Sequence, residues 1–300
     1  MTRPGDDPRR LAVFWLQSSR PGLWFPTLWL YALPLAGSDA WHSARGWAGL
    51  LWVSFPLNLL TYGWNDLVDR ETDRVNPRKG SWLFGARGTD AQLATVPRAI
   101  AVTLLISFPP FVLWGGPAML GVLACMIGFM ALYNHPARGW RGRPPLELLA
   151  QVGYLLVVVF SVLQNDVPWP PWPTWLYLAL FCAQSQLMGE VMDVAPDRQA
   201  GRRTTATALG VGPTKLLIIA VVALEVALLL LVFGDAIFGG ALAAGLIWLL
   251  LDRFVVFGEG AYSLRQMQLF GLGSNALALA TLIYVGATGC LLHLAGPLAP

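Results

Sequence analysis

The chain has 300 residues, of which 56% are hydrophobic and only 12% are charged. This composition excludes an ordinary soluble domain, since so much apolar surface needs surroundings other than water. The formal net charge of +3 does not indicate a nucleic-acid partner, because the basic residues form no run with interleaved aromatic residues. We therefore expect a helical membrane protein.

Membrane-spanning helices need about 20 mostly apolar residues each. Nine segments approach this requirement, at roughly 20–37, 46–64, 98–115, 117–133, 146–163, 172–189, 214–234, 236–252 and 269–295. The predicted fold is an all-α integral membrane protein with nine transmembrane helices. The partner implied by this composition is the lipid bilayer.

The distribution of arginine and lysine predicts the orientation, because these residues concentrate in cytoplasmic loops. With nine spans and a cytoplasmic N-terminus, 19 of the 20 basic residues lie on the cytoplasmic side and only Arg45 lies outside. The N-terminal segment MTRPGDDPRR, which includes Arg3, lacks the pattern of a signal peptide, so the first helix is predicted to remain as an anchor. Three cysteines lie in apolar segments without paired spacing and are interpreted as small hydrophobic residues: Cys125, Cys182 and Cys290.

Two acidic stretches, NDLVDRETDR at 65–74 and GEVMDVAPDR at 189–198, each end an apolar segment. Their carboxylates align with an offset of 124 residues: Asp66, Asp69 and Asp73 in the first, and Glu190, Asp193 and Asp197 in the second. A basic pair follows each stretch, Arg78 and Lys79 or Arg202 and Arg203. The repeat suggests that 46–163 and 172–295 are two copies of a four-helix unit within one domain of 1–300.

The spacing of these acidic residues has a chemical consequence. Positions i, i+3 and i+7 share one helical face, so each triplet presents its carboxylates in one stripe, which Asn58 and Asn65 continue in the first copy and Gln186 in the second. Crowded carboxylates repel one another unless a cation neutralises them. Oxygen ligands of this kind suit Mg²⁺ together with phosphate oxygens, and adjacent Arg and Lys residues suit the remaining phosphate charge. Ordinary charges beside a membrane span are the alternative, but they need not repeat a nine-residue pattern.

These motifs resemble those of the UbiA superfamily of membrane prenyltransferases, N-D-x-x-D-x-x-x-D after the second helix and D-x-x-D-x-x-x-D after the sixth. The chain has NDLVDRETD and EVMDVAPD, the latter continuing as RQAGRRTTA, and an R-P pair (Arg20, Pro21) opens the first helix. NPRKG and the second motif look most similar to the branch that contains the lycopene elongases. The resemblance implies a helical bundle around a central cavity, with its active site facing the cytoplasm and its place in the cell membrane.

The resemblance also implies a reaction, the Mg²⁺-dependent transfer of a prenyl group from an isoprenoid diphosphate to a hydrophobic acceptor, such as a carotenoid or a quinone precursor. The implied metal ligands are Asn65, Asp66, Asp69, Asp73, Glu190, Asp193 and Asp197, of which Asp69, Asp73, Asp193 and Asp197 are the implied catalytic residues. The implied diphosphate-binding residues are Asn65, Arg78, Lys79, Arg138 and Arg202.

Two positions depart from the family pattern. The loop YNHPARGWRGRP is similar to the family's Y-S-x-P-x-R-x-K loop, but Trp140 occupies the lysine position, so Arg141 and Arg143 join Arg138 as candidates for phosphate contact. Glu190 stands in place of the usual aspartate and keeps its charge, so we expect metal binding to survive.

Several alternatives remain open at this stage. A terpene cyclase on the same scaffold has motifs that do not separate it from a transferase. A transporter is less favoured, because its coupling charges tend to lie near the bilayer midplane, whereas both acidic clusters end their spans. Glu225, within a span, is either a proton acceptor or a partner in an interhelical hydrogen bond. The same choice between acceptor pocket and helix contact applies to Gln151, Tyr154, Gln184 and Asn275.

Overall fold

The computed structural model describes residues 7–136 and 138–298. Arg3 lies outside them, as does Ala137 in the loop YNHPARGWRGRP. Within the described residues the chain is helical apart from its loops and one isolated antiparallel bridge between Ser81 and Gly85. This agrees with the all-α prediction.

The first half of the chain contains both short and long helices. They are α1 (Pro8–Ser18), α2 (Phe25–Ala32), α3 (Ala44–Asn58), α4 (Trp64–Val68), α5 (Arg70–Val75), α6 (Asp90–Leu93), α7 (Val96–Ser107), α8 (Pro109–Gly115), α9 (Ala118–Asn134), α10 (Leu146–Gln151) and α11 (Leu156–Asn165). A π-helical turn, Leu59–Gly63, joins α3 to α4, and a 3₁₀ turn, Val152–Leu155, joins α10 to α11.

The second half has longer and more regular helices. They are α12 (Trp172–Gln199), α13 (Thr205–Leu209), α14 (Val211–Leu231), α15 (Ala236–Leu251) and α16 (Leu264–Thr288), with a second π-helical turn, Asp252–Val256, after α15. The last helix ends earlier than the predicted segment 269–295, because Gly289 adopts a left-handed conformation (φ 65°) that closes the helix.

Five helical stretches in the described chain are long and apolar enough to cross a membrane: Asp90–Gly115, Leu146–Asn165, Val211–Leu231, Ala236–Val256 and Leu264–Thr288. Phe25–Leu35 and Ala118–Asn134 are shorter apolar helices. The helices that lead into the acidic motifs, α3 and α12, are absent from both groups. Each of the nine predicted segments contains helix, but the nine crossings and the cytoplasmic N-terminus stay predictions, as does the internal repeat.

An aromatic cluster fixes α3 against α8 and α11. The rings of Trp52 and Phe160 stack at 4.8 Å, and Phe108 and Phe111 pack edge-on or tilted against this pair. All four side chains are buried. Such pairs add to the stability that burial of their large apolar area provides, so they hold the middle of α3 against its neighbours, ahead of the acidic motif.

The path from α3 to the first motif is irregular. Pro56 lies inside α3, and the π-helical turn follows. Because a π turn contains an extra residue, it rotates everything after it relative to what precedes it. Asn58 accordingly donates from its amide to Thr27 Oγ1 at 2.8 Å and lies outside the cavity described below, whereas Asn65 lines that cavity. The predicted continuity of the stripe from Asn58 to Asn65 is not observed.

Candidate active site

A cavity of about 270 Å³ lies between the helices of the two halves. Its polar and charged lining comes from α4, from the loops after α5, α9 and α12 and from the end of α12, and includes Asn65, Arg78, Arg141, Asp193, Asp197 and Arg202. Most of its other lining residues are apolar or aromatic, including Leu30, Leu57, Met126, Phe129, Val157 and Phe181. The cavity therefore joins a charged mouth to an apolar interior.

The first acidic motif is neutralised by cations from two directions. Asp66 Oδ1 accepts a hydrogen bond from the Arg20 guanidinium at 2.7 Å and another from the Lys79 ammonium. Lys79 Nζ also lies 2.7 Å from Asp73 Oδ2. The other oxygen of Asp66 is buried and has no hydrogen-bond partner among the described residues. This free oxygen is available to a further cation.

Asp69 is the point at which three chain segments meet. Its carboxylate accepts hydrogen bonds from Arg141, in the loop after α9, and from Arg202, in the loop after α12. Arg141 donates in addition to Asn65 Oδ1 at 3.0 Å. Asp69 lies between α4 and α5 with backbone angles (φ −89°, ψ 6°) that depart from those of a regular α-helix.

The second motif is bound by residues that follow the first. Asp193 accepts from Arg78 and, at 3.0 Å, from the amide of Asn76. Asp197 lies 3.3 Å from Arg202. Each motif thus pairs with an arginine from the loop of the other, Asp193 with Arg78 and Asp69 with Arg202. The two acidic motifs, which are far apart in sequence, form one site.

A tight turn presents Arg78 and Lys79 to these carboxylates. The amide of Gly80 and the amide of Ser81 both donate to the carbonyl of Gly85, at 2.9 and 3.1 Å. Gly85 has a φ of 100°, and a Cβ there would meet the Arg20 side chain at 3.0 Å. Only glycine combines this backbone conformation with so close an approach, so Gly85 permits Arg20 to reach Asp66.

Glu190 is oriented differently from the aspartates. It lines the cavity, but one carboxylate oxygen accepts from Gln186 Nε2 at 3.0 Å and the other from the backbone amide of Ala206 at 3.1 Å. The longer side chain therefore reaches the first turn of α13. Its role as a metal ligand stays a prediction.

The structure distinguishes among the predicted phosphate contacts. Arg202 lines the cavity, whereas its neighbour Arg203 is exposed. In the loop after α9, Arg141 lines the cavity, whereas Arg138 is exposed and outside it. The diphosphate role of Arg138 stays a prediction that the geometry does not favour over Arg141.

Sequence reasoning missed three polar residues that shape this site. Asn76 bonds Asp193, Arg20 bonds Asp66, and Glu147 accepts from Thr205. Asn76 belongs to the NPRKG stretch and Arg20 to the R-P pair, so both lie in noted motifs, but the motifs did not predict their contacts with the acidic residues. Glu147 belongs to no motif and had none.

Two of the four polar candidates for the acceptor pocket line the cavity, Gln151 and Tyr154. Gln184 instead donates to Glu225 at 3.3 Å, between α12 and α14, and Asn275 donates to the Gly22 carbonyl at 2.7 Å. Glu225 is fully buried and does not line the cavity. The geometry therefore favours interhelical hydrogen bonding for Glu225 over proton transfer to a molecule in the cavity.

Aromatic side chains surround the region just inside the charged mouth. Tyr62, Tyr133, Tyr154, Phe129 and Phe181 all line the cavity. The Arg20 guanidinium lies 4.6 Å from the centroid of the Tyr62 ring. Aromatic faces attract cations, so these five aromatic side chains together suit a positively charged species next to the acidic site.

Burial has altered the proton affinity of several motif carboxylates, including Asp73 and Asp197. It raises the pKa of Asp73 to about 6, with Lys79 opposing the rise and neighbouring carboxylates adding to it. It raises the pKa of Asp197 to about 7, against the attraction of Arg202. Both groups are therefore poorly solvated in their ionised form, and a bound cation would stabilise that form.

The donor set fits Mg²⁺. It consists of carboxylate and amide oxygens, and the unpartnered Asp66 oxygen offers a further ligand. No three acidic, histidine or cysteine side chains converge on a single metal position in the described chain. Such an arrangement is compatible with Mg²⁺, because this ion is usually held by one or two carboxylates, with water and substrate phosphate completing its ligands.

The profile of the UbiA prenyltransferase family matches residues 23–259, which is most of the chain. The chain therefore belongs to the UbiA prenyltransferase family. Among its relatives is a lycopene elongase/hydratase of Corynebacterium glutamicum, 30% identical over 217 residues that make up 65% of this chain and 69% of the relative. A C(50) beta-cyclic carotenoids biosynthesis protein, LbtBC of Dietzia sp. (strain CQ4), is 28% identical over 69% of this chain, and the match spans only 48% of that protein.

Solved structures confirm the fold. A UbiA homolog from Archaeoglobus fulgidus, solved with DMAPP and Mg²⁺, superposes with a TM-score of 0.65 over 91% of this chain and 97% of its own, at 19% identity. The structure of a UbiA homolog from the same organism with GPP and Mg²⁺ gives a TM-score of 0.66 at 17% identity. The lycopene elongase relatives agree with the branch suggested by the motifs.

Proposed function

We propose that this protein transfers a prenyl group from an isoprenoid diphosphate to an apolar acceptor, with Mg²⁺ bound between the two acidic motifs. The observation that carries the proposal is the single site formed by both motifs at the mouth of a cavity with apolar and aromatic walls. A diphosphate needs the charged part, and a prenyl chain needs the apolar part. One continuous cavity offers both.

The residues of the mouth have separate tasks in this reaction. Arg78, Arg141 and Arg202 line the cavity and would bind diphosphate oxygens, with Lys79 behind them. Bound Mg²⁺ would neutralise the diphosphate and stabilise the charge that develops on it as the C–O bond breaks. The allylic cation left behind would lie against the aromatic walls of the cavity. Attack by a double bond of the acceptor, followed by loss of a proton, completes the transfer.

The charge balance of the mouth predicts how its ligands bind. Among the described residues, five aspartates of the motifs pair with five cations, from Arg20, Arg78, Lys79, Arg141 and Arg202. Adding Mg²⁺ alone gives an excess of positive charge, and adding diphosphate alone gives an excess of negative charge. We therefore expect the two to bind cooperatively, since each compensates the charge of the other.

The acceptor proposed is a carotenoid or a similarly apolar molecule. The support is the likeness to lycopene elongase/hydratase proteins and the small number of polar groups in the inner part of the cavity, chiefly Gln151, Tyr154 and Gln186. The site is proposed to face the cytoplasm, because the loops that form it carry the basic residues that orient membrane proteins.

Pyrophosphate release by the purified protein in detergent tests the proposal. Dimethylallyl, geranyl, farnesyl and geranylgeranyl diphosphates are each supplied with Mg²⁺, with and without lycopene, and the lipid extract is analysed by mass spectrometry. Release that depends on lycopene and gives a prenylated product supports the proposal. Release without any acceptor, accompanied by a cyclic hydrocarbon, indicates a terpene cyclase instead, and no release under any condition refutes both.

A further inference from the structure

Glu147 is a fully buried carboxylate in the first turn of α10, and it belongs to neither acidic motif. Its Oε1 accepts two hydrogen bonds from one residue, the backbone amide of Thr205 at 2.8 Å and the Thr205 hydroxyl at 2.6 Å. Thr205 begins α13 and is itself buried. Glu147 therefore connects the segment after α9 to the segment after α12.

These two segments carry the arginines that converge on Asp69. Arg141 lies six positions before Glu147, in the 3₁₀ turn Trp140–Gly142. Arg202 lies three positions before Thr205, and its carbonyl accepts from the Thr207 hydroxyl at 3.0 Å, so the loop that bears it is tied to α13. The contact between Glu147 and Thr205 is thus a direct link between the supports of the two guanidinium groups.

We infer that Glu147 is a positioning residue, which sets the separation of Arg141 and Arg202 and thereby the end of the cavity that holds the diphosphate. This inference rests on the proposed function, in which both arginines bind diphosphate. Glu147 does not line the cavity, and its buried second oxygen has no hydrogen-bond partner in the part of the chain that the structure describes. It acts as a hydrogen-bond acceptor through Oε1 and contacts neither metal nor substrate.

Substitutions distinguish a role of Glu147 as a hydrogen-bond acceptor from a role of its negative charge. Glu147→Gln keeps an oxygen that accepts both hydrogen bonds. Its amide nitrogen replaces Oε2, to which no group among the described residues donates a hydrogen bond. Glu147→Ala removes both hydrogen bonds and leaves the arginine loops untied. Because Glu147→Ala removes both hydrogen bonds that hold the two arginine loops together, we expect diphosphate binding to weaken on the order of tenfold in this variant. Glu147→Gln should stay within about threefold of the wild type.

Calorimetric titration of inorganic pyrophosphate into the full-length purified protein, in detergent with Mg²⁺ present, measures this directly. Glu71→Ala serves as the control, since Glu71 is exposed in the first acidic stretch and, among the described residues, forms ion pairs with Arg70 and Arg74 alone. Thr205→Val and Thr205→Ser examine the same contact from its other side. Valine removes one of the two hydrogen bonds and should weaken binding by about threefold, and serine should restore it.

Each outcome has a definite meaning. Weak binding in Glu147→Ala with near-normal binding in Glu147→Gln and Thr205→Ser supports the inference. Pyrophosphate binding that is equally weak in Glu147→Gln and Glu147→Ala overturns the inference, because the charge of Glu147 would then be what matters. Normal binding in Glu147→Ala also overturns it. If Glu147→Ala does not fold, unchanged binding in Thr205→Val overturns it. A wild-type protein that does not bind pyrophosphate overturns the proposed function, and this inference with it.

Discussion

Removal of Asp69 and removal of Asp193 should affect stability differently but activity alike. The Asp69 side chain is 8% exposed and contacts Arg141 and Arg202, which are 14% and 19% exposed. Removing one partner of a buried pair costs about 3–5 kcal/mol, and since Arg202 retains Asp197, we expect Asp69→Ala to destabilise the protein by about 2–3 kcal/mol. Asp193 is 27% exposed, so Asp193→Ala should cost about 1 kcal/mol, near the range of exposed pairs.

Both substitutions should abolish diphosphate release, because each removes a carboxylate from one of the two motifs that share the site. Thermal unfolding in detergent, followed by pyrophosphate release with geranylgeranyl diphosphate, Mg²⁺ and lycopene, measures the two effects separately. Glu71→Ala, in the same stretch as Asp69 but 71% exposed, should change neither. Wild-type activity in either aspartate variant would refute the metal assignment, and equal melting temperatures for the two would refute the argument from burial.

Three further outcomes follow from the geometry. Mg²⁺ affinity, titrated in the presence of pyrophosphate, should fall as the pH decreases from 8 to about 6. Burial raises the pKa of Asp197 to about 7 and that of Asp73 to about 6, so protons compete with the metal in this range. A constant affinity would contradict the assigned ligands. Glu225→Gln should retain activity within about twofold, since its hydrogen bond to α12 lies outside the cavity, and complete loss would restore the idea that Glu225 accepts a proton. Gly189→Leu should slow the reaction of geranylgeranyl diphosphate more than that of dimethylallyl diphosphate. Gly189 lines the cavity and a Cβ there meets only open space, so a leucine side chain would take up room that the longer prenyl chain needs. The matched control is Gly128→Leu, where a Cβ is also unobstructed but lies outside the cavity.

Much of the helical fold was accessible from the sequence for a local reason. Helical periodicity placed Glu190, Asp193 and Asp197 on one face of a helix, and α12 does run unbroken through all three. The apolar segments predicted helices because burying backbone groups in lipid leaves few other structures. In the first motif Asn65 lines the cavity, whereas Asn58 does not continue the stripe. The local pattern gave no sign of the π-helical turn between them.

The pairing of charges, in contrast, was decided by the tertiary structure. The sequence showed that basic residues follow each motif, but not that Arg78 would pair with Asp193 and Arg202 with Asp69, across the cavity. Nor did it indicate that Arg141 would approach Asp69 while Arg138 stayed exposed, or that an isolated Glu147 would join the two loops. The physical reason is that residue type and helical spacing act over one or two turns, whereas an ion pair between loops depends on where packed helices place their ends.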